Sequence, residues 1–267
     1  MFANLLDRIP PVTRHLFLLN VLFFVANVML QFRGIYLEYW LSVYFPTSAY
    51  FHPYQIFTYL FMHSSGTWTH IIFNMIGLLS FGSRIEWVLG SKRFLTFYFI
   101  CGLGCLFVYF GVQLAYIQWL FWHAGIPLEV SKSILNFIHQ DLSHPTVIED
   151  LNNYLISQQN NLSEFSLAWV PAIKQVNRLV NTPLLGASGA IYGILTAFAW
   201  FFPNERLLLL IPPIPIRAKY LMLILILISL YLGISNNPND NTAHVAHLAG
   251  ILIAAIVLWI WRKKNII

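Results

Sequence analysis

The sequence predicts an all-α membrane protein, a bundle of six spanning helices with a helical insertion outside the membrane between helices 3 and 4. Three observations carry this expectation. Of the 267 residues, 58% are apolar and only 9% are charged, against about 25% charged in an ordinary soluble domain. Asp, Glu, Lys and Arg are missing from 39–83, 94–128, 179–204, 220–239 and 241–261, and 16–32 is also clear. The basic residues that remain fall mainly on one side of the expected spans. A spanning helix needs about 20 mainly apolar residues, so these runs place helices near 14–33, 68–88, 94–116, 187–203, 218–235 and 243–261.

The elements follow in chain order. Met1 to His15 carries neither a cleavable signal nor a transit pattern, so the first span reads as its own anchor. Segment 34–67 is a long outside loop rich in Tyr, Phe and Trp, which suits the membrane interface. Pro46 and Pro53 break any continuous helix there. In the second span His70 and Asn74 stand at i and i+4 on one face. The third span holds Cys101 and Cys105; buried cysteine behaves as a small hydrophobe, so packing is favoured over a disulfide. Segment 117–182 is a net acidic outside insertion within a single membrane domain, 1–267. Thr146-Val147-Ile148-Glu149 reads as a capping box, and Val147, Leu151, Tyr154 and Leu155 continue it as an apolar stripe. Leu167, Val170, Ile173 and Val176 give a second stripe, so two or three short amphipathic helices are expected.

The fourth span opens on Gly186-Ala187-Ser188-Gly189-Ala190-Ile191-Tyr192-Gly193. Pro203-Asn204-Glu205 closes it, and Pro212, Pro213 and Pro215 delay the restart of helix. The sixth span carries His244 and His247. Eleven of the fifteen basic residues, from Arg8 and Arg14 to Lys263 and Lys264, lie on the side of the N-terminus. The positive-inside rule then puts both termini in the cytoplasm, and the expected location is a bacterial cytoplasmic (inner) membrane. The same bias explains the net charge of +5. Bases scattered through short loops give no nucleic-acid surface.

The chemistry centres on Ser188 and His247, since polar and ionisable groups at membrane depth are costly and usually mark function. From Ser188 to Phe202 the helix would span about 22 Å, less than the hydrocarbon thickness of about 30 Å. Ser188 therefore lies below the outer surface, under a loop at Gly186 that can cover a wet cavity. As the first helical residue it also offers its amide to an oxyanion. Gly186, Gly189 and Gly193 with Ala187 and Ala190 form a small-residue face, matched by Gly250 and Ala254 on the sixth helix. Close packing along these stripes brings His247 towards Ser188. Tyr192, one turn below Ser188, is placed to stack on the imidazole. Asp240 precedes the sixth helix, so no carboxylate orients the histidine and a Ser–His dyad is expected rather than a triad. His70 and Asn74 can both donate to an oxyanion. A zinc protease would need His-Glu-x-x-His, which is absent from the sequence; an aspartyl protease would need paired aspartates in spans. A transporter would show repeated halves with broken helices, and none is found.

These residues resemble a rhomboid intramembrane serine protease. The resemblance rests on Gly186-Ala187-Ser188-Gly189, Tyr192-Gly193 and His247-Leu248-Ala249-Gly250. His70 and Asn74, Gly82 to Glu86, Gly90-Ser91, Phe202-Pro203-Asn204 and Ile214 to Tyr220 extend it over nearly the whole chain except the insertion. It implies a six-helix bundle in the lipid bilayer, cleavage of transmembrane protein substrates, and no metal or cofactor. It assigns Ser188 as nucleophile, His247 as general base and acid, and His70, Asn74 and the Ser188 amide as oxyanion donors. Only His247, not His244, has the following Ala-Gly context; His244 is assigned a hydrogen bond to a loop. His63 resembles a histidine at the end of the first outside loop, where a structural hydrogen bond is expected. A Trp-Arg pair common in that loop appears here as Tyr54-Gln55, which leaves the loop's anchoring unassigned. The rival is a non-catalytic relative that binds or chaperones membrane proteins.

Overall fold

The computed structural model describes residues 8–66, 68–138, 151, 153–155, 166–208, 214–235 and 244–267. Among the described residues, five helices are long and apolar enough to cross a membrane: α1 (Pro11–Gln31), α4 (Trp68–Leu89), α5 (Ser91–His123), α9 (Ala218–Ser235) and α10 (His244–Lys263). The sixth expected span is α8, Ser188–Phe201, whose 14 residues rise about 21 Å. Short helices α2 (Leu37–Leu41), α3 (Gln55–Thr58), α6 (Leu128–Phe137) and α7 (Val170–Asn181) fill the intervening segments. The protein is thus a multi-pass, integral, helical membrane protein.

Two compact units divide the chain. The first takes residues up to Glu38, Tyr59–Tyr109 and Leu185–Ile267. At its centre is α8, apolar all round and buried along most of its length, as such a helix must be. It packs against α4, α9 and α10, and against Cys101 and Cys105 of α5. The long helices around it leave Leu22, Phe73, Phe107, Leu227 and Ile234 exposed, an apolar exterior that fits lipid rather than water.

Several polar groups inside this unit are paired across helices. Helix α1 begins on proline, whose fixed φ and missing N–H suit that position. Pro10 offers no side-chain cap, and the buried carboxylate of Glu86 on α4 takes that place. It accepts from the Val12 amide at 3.0 Å, the Thr13 amide at 2.7 Å and the Thr13 hydroxyl at 2.8 Å. Ser91 Oγ, at the start of α5, donates to the same group at 2.7 Å. An anion at a helix N-terminus is favoured by the dipole, so one residue ties three helices together. Gly90, at φ +77, allows the sharp turn between α4 and α5. Asn20 and Asn27 continue inward along α1; their amides donate to the Leu16 carbonyl and to Glu38. Glu38 also accepts from the amide and hydroxyl of Ser65, just before α4. Within α4, a π-helical turn at Leu78–Gly82 changes register between the half with His70 and Asn74 and the half with Glu86.

After α8 a short hairpin interrupts the otherwise helical fold. Arg206–Leu208 (β1) and Pro215–Arg217 (β2) pair antiparallel, with Leu207 opposite Ile216. The prolines that stop a helix here leave extended backbone free to pair, and Pro215 occupies a strand end, where proline is tolerated. Glu205, just before β1, receives Arg84 of α4 at 2.6 and 3.3 Å. The Arg84 guanidinium also lies over Phe202, 4.9 Å from the ring centroid.

The second unit takes Tyr39–Thr58 and Phe110–Leu184, so it extends beyond the 117–182 insertion. The reason is packing: Phe45 meets Phe110 edge-on at 5.5 Å, and Val43 and Leu184 exchange backbone hydrogen bonds of 2.9 and 2.8 Å. Its core joins Ile117 and Phe121 to Ile134, Leu151, Leu155, Ile173 and Val176. The second expected stripe forms α7, which buries Ile173, Val176 and Val180 and leaves Lys174 and Arg178 exposed. Helix α6 is amphipathic too, burying Val130, Ile134 and Phe137. The capping box and Val147 lie outside the described residues. Tyr54-Gln55 has a clear outcome: buried Gln55 accepts from the His52 amide at 3.0 Å and donates to the carbonyls of Trp40 and Tyr50 at 3.1 and 2.9 Å. Gln55 thus anchors this loop together with Thr58, whose hydroxyl donates to the Leu41 carbonyl at 2.6 Å.

Candidate active site

The site is assembled where α8 begins. Gly186 sits at φ +118, a conformation that side chains rarely adopt. Its amide donates to the Tyr59 carbonyl at 2.9 Å. A Cβ there would come within 2.9 Å of His70 Cε1, so the chain crosses directly against that imidazole. Ala187 is the N-cap and supplies no side-chain partner. The first-turn amides of α8, including that of Ser188, therefore have no intrahelical acceptor.

His247 comes from the first turn of α10. Its Nε2 stands 2.9 Å from Ser188 Oγ. With the ring proton on Nδ1, Nε2 accepts the serine hydroxyl. Tyr192, one turn along α8, lies flat against the imidazole, with centroids 4.2 Å apart and planes 7° from parallel. His244 meets His247 edge-on at 5.9 Å; the neighbouring segment 236–243, with Asp240, lies outside the described residues. Ser188 is half-buried and His247 buried, so the pair meets in a protected but reachable place.

The close approach depends on missing side chains. A Cβ on Gly250 would overlap the Gly189 carbonyl oxygen, and one on Gly189 would overlap Cys105 Sγ. At Gly193 a Cβ would lie 2.7 Å from Cys101 Sγ. Gly250 thus opens α10 to the backbone of α8, whereas Gly189 and Gly193 receive the sulfurs of α5. The glycine stripes serve two interfaces rather than the single one expected. Both cysteines are free thiols, buried in these notches.

His70 and Asn74 lie on α4. Asn74 Nδ2 donates to His63 Nε2 at 3.0 Å, and the His63 and His70 rings are 5.1 Å apart. Burial, with His70 close by, pushes His63 down to about 3, so the imidazole is neutral and its lone pair is available to the amide. One Asn74 N–H is committed to His63, leaving the second for another acceptor. The structure pairs Ser188 with His247, His70 with Gly186, and Asn74 with His63. Tyr59 was not singled out by sequence among so many aromatic residues. Beyond holding Gly186, its hydroxyl donates to the Gly102 carbonyl at 2.6 Å and lies 3.7 Å from Cys105 Sγ. Among the described residues, no group of three His, Cys, Asp or Glu side chains is placed to hold a metal ion.

The family model described as a Rhomboid domain matches residues 50–126 and 119–264. Rhomboid protein 1, mitochondrial, from Saccharomyces cerevisiae is 31% identical over 97 residues, which cover 36% of this chain and 25% of that protein. The match thus spans about a quarter of the length of that curated relative.

Proposed function

The chain belongs to the rhomboid family, and on that premise we propose that it is an intramembrane serine endopeptidase working through a Ser188–His247 dyad. Its substrates are membrane proteins, cut in or near their transmembrane segments. The observation that carries this reading is the 2.9 Å contact of Ser188 Oγ with His247 Nε2, on an imidazole stacked against Tyr192.

In the proposed reaction, His247 takes the hydroxyl proton as Ser188 Oγ attacks the scissile carbonyl carbon. Charge on the carbonyl oxygen of the tetrahedral intermediate is met by the Ser188 amide, the second N–H of Asn74 and the His70 ring. His247 then protonates the leaving amine as the C–N bond breaks. Water, deprotonated by the same imidazole, then attacks the acyl carbonyl, and His247 returns the proton to Ser188 Oγ as the acyl–oxygen bond breaks. No cofactor or metal enters these steps. Gly186, Gly189 and Gly250 support the geometry by letting backbones approach, and Tyr192 supports it by stacking.

We also place both termini on the cytoplasmic side of a bacterial inner membrane, following the basic residues, with 1–267 acting as one membrane domain. Reporter fusions at the C-terminus test that orientation, and a periplasmic signal would reverse it. The activity is tested in detergent with a transmembrane reporter and a serine-directed fluorophosphonate. Wild type should cleave the first and be labelled by the second. An unlabelled, inactive wild type that still binds the reporter would favour a non-catalytic relative.

A further inference from the structure

Residues 59–63 connect two helices, yet they lie inside the first unit rather than over its surface. Tyr59, Leu60, Met62 and His63 are each no more than 1% exposed. Connecting segments normally run outside, because their backbone groups need partners. Here the partners belong to the candidate site. The Tyr59 carbonyl accepts the Gly186 amide at 2.9 Å, two residues before Ser188, and Gly186 in turn lies against His70. At the other end of the segment His63 Nε2 accepts Asn74 Nδ2 at 3.0 Å. A 3₁₀ turn at Tyr59–Phe61 therefore bridges the start of α8 and the face of α4 that carries His70 and Asn74. Its footing is on α5. The Tyr59 hydroxyl donates to the Gly102 carbonyl at 2.6 Å. A Cβ on Gly102 would lie 2.7 Å from Leu60 Cδ2, so the turn sits in a notch that glycine leaves open.

Resting on the reading of Ser188 and His247 as a catalytic dyad, we infer that Tyr59 is a positioning residue for the oxyanion site. By holding the turn on Gly102, its hydroxyl sets the spacing between the Ser188 amide and the donors His70 and Asn74. A single oxygen must stand about 2.7–3.1 Å from each donor at once, and these donors come from two separate helices. The backbone of Gly186 is fixed by Tyr59 and the amide group of Asn74 by His63, so a turn that slips on α5 carries both sides of the site with it. Such slippage matters, since misplacing reacting groups by 1 Å can cost about 10²-fold. The donors act on charge that develops in the transition state, so the loss falls on kcat rather than on substrate binding. Removing the hydroxyl does not orphan the Gly102 carbonyl, because Cys105 Sγ also donates to it at 3.0 Å.

The test uses the full chain in detergent, with Tyr59→Phe, Asn74→Ala, the Tyr59→Phe/Asn74→Ala double variant and Gly102→Ala, which fills the notch under Leu60. Reporter turnover and the fluorophosphonate labelling rate are read per folded molecule. Tyr59→Phe should lower kcat and labelling about tenfold, the worth of one hydrogen bond, with KM at the wild-type value. Gly102→Ala should lower both in the same way from the other side of the contact. The double variant should be slower than Asn74→Ala by no more than about twofold, because the donor whose spacing Tyr59 sets is already gone. Wild-type kcat and labelling in Tyr59→Phe, with Ser188→Ala inactive, would overturn the role of Tyr59 and leave the dyad standing. A loss carried wholly by KM, or a double variant that multiplies the two single losses, would overturn it as well. Should Tyr59→Phe fold poorly, the same cycle run with Gly102→Ala decides. Full cleavage by Ser188→Ala would instead overturn the dyad on which the inference rests.

Discussion

The two compact units hold together on opposite principles. In the first, helices meet where side chains are smallest: Gly189 and Gly193 receive the sulfurs of α5, and Gly250 lies against the backbone of α8. Lipid is as apolar as leucine, so close backbone approach and paired polar groups, not exclusion of water, join such helices. In the second unit, Ile134, Ile173, Val176 and Phe121 make an ordinary core, beneath an α7 whose other face carries Lys174 and Arg178. There, removing apolar surface from water is the main stabilising term. Added volume should therefore damage the first unit most, and lost volume the second.

The largest effect should come from Gly250→Val. Two branches at a place where even a Cβ overlaps the Gly189 carbonyl must push α10 away from α8, breaking the 2.9 Å contact of Ser188 with His247. Reporter cleavage should fall by more than about 10³-fold, since a 1 Å displacement already costs about 10²-fold. Near-normal turnover would show that the helices do not need this approach. Next in size is Asn74→Ala, which removes a donor from the proposed oxyanion site. It should lower kcat by about 10²–10³-fold, with KM little changed; an equal rise in KM would mean that Asn74 binds substrate instead.

Ile173→Ala probes the other unit. It should cost about 2–5 kcal/mol of stability, as truncations in packed cores do. The folded fraction should still react with the fluorophosphonate at the wild-type rate. Slowed labelling of folded protein would mean that the second unit supports the chemistry as well as its own core. Shortening 129–178 to a flexible linker should change KM or reporter preference and spare labelling, for the same reason.

The smallest effect concerns pH. His63 is held neutral down to about 3, whereas unfolded histidine titrates near about 6.5. Above that value neither state binds the proton. Below it the unfolded chain takes one up and the folded chain does not, so stability falls as pH drops from about 6.5 towards 3. His63→Gln keeps an acceptor for Asn74 and lacks the titration. Between pH 7 and pH 5 it should lose about 1–2 kcal/mol less than wild type, read from chemical denaturation at each pH. Equal losses would place the acid sensitivity elsewhere.

What could be read from the sequence follows the same division. The spans are marked by charge-free runs, because a bilayer penalises a charge wherever it falls along them. Ser188, His247 and Tyr192 stand out because a polar group at depth needs a reason. The second unit announced only its amphipathic stripes, and its inclusion of Tyr39–Thr58 depends on Phe45 and Val43 meeting residues far along the chain. Partners distant in sequence explain the other omissions. Glu86 caps a helix more than seventy residues earlier, and Tyr59 holds Gly186. Gln55 departs from the family pattern at its position, yet its three hydrogen bonds help to hold the loop.

The central claim is that Ser188 and His247 act as one catalytic unit. The most direct measurement is cleavage of a transmembrane reporter by Ser188→Ala, His247→Ala and the double variant, with His244→Ala beside them. Each single change should remove nearly all turnover, the double should be no worse than either because the two residues act together, and His244→Ala should keep substantial activity. An active His247→Ala with an inactive His244→Ala would contradict the assignment of the base, and cleavage that survives Ser188→Ala would contradict the dyad itself.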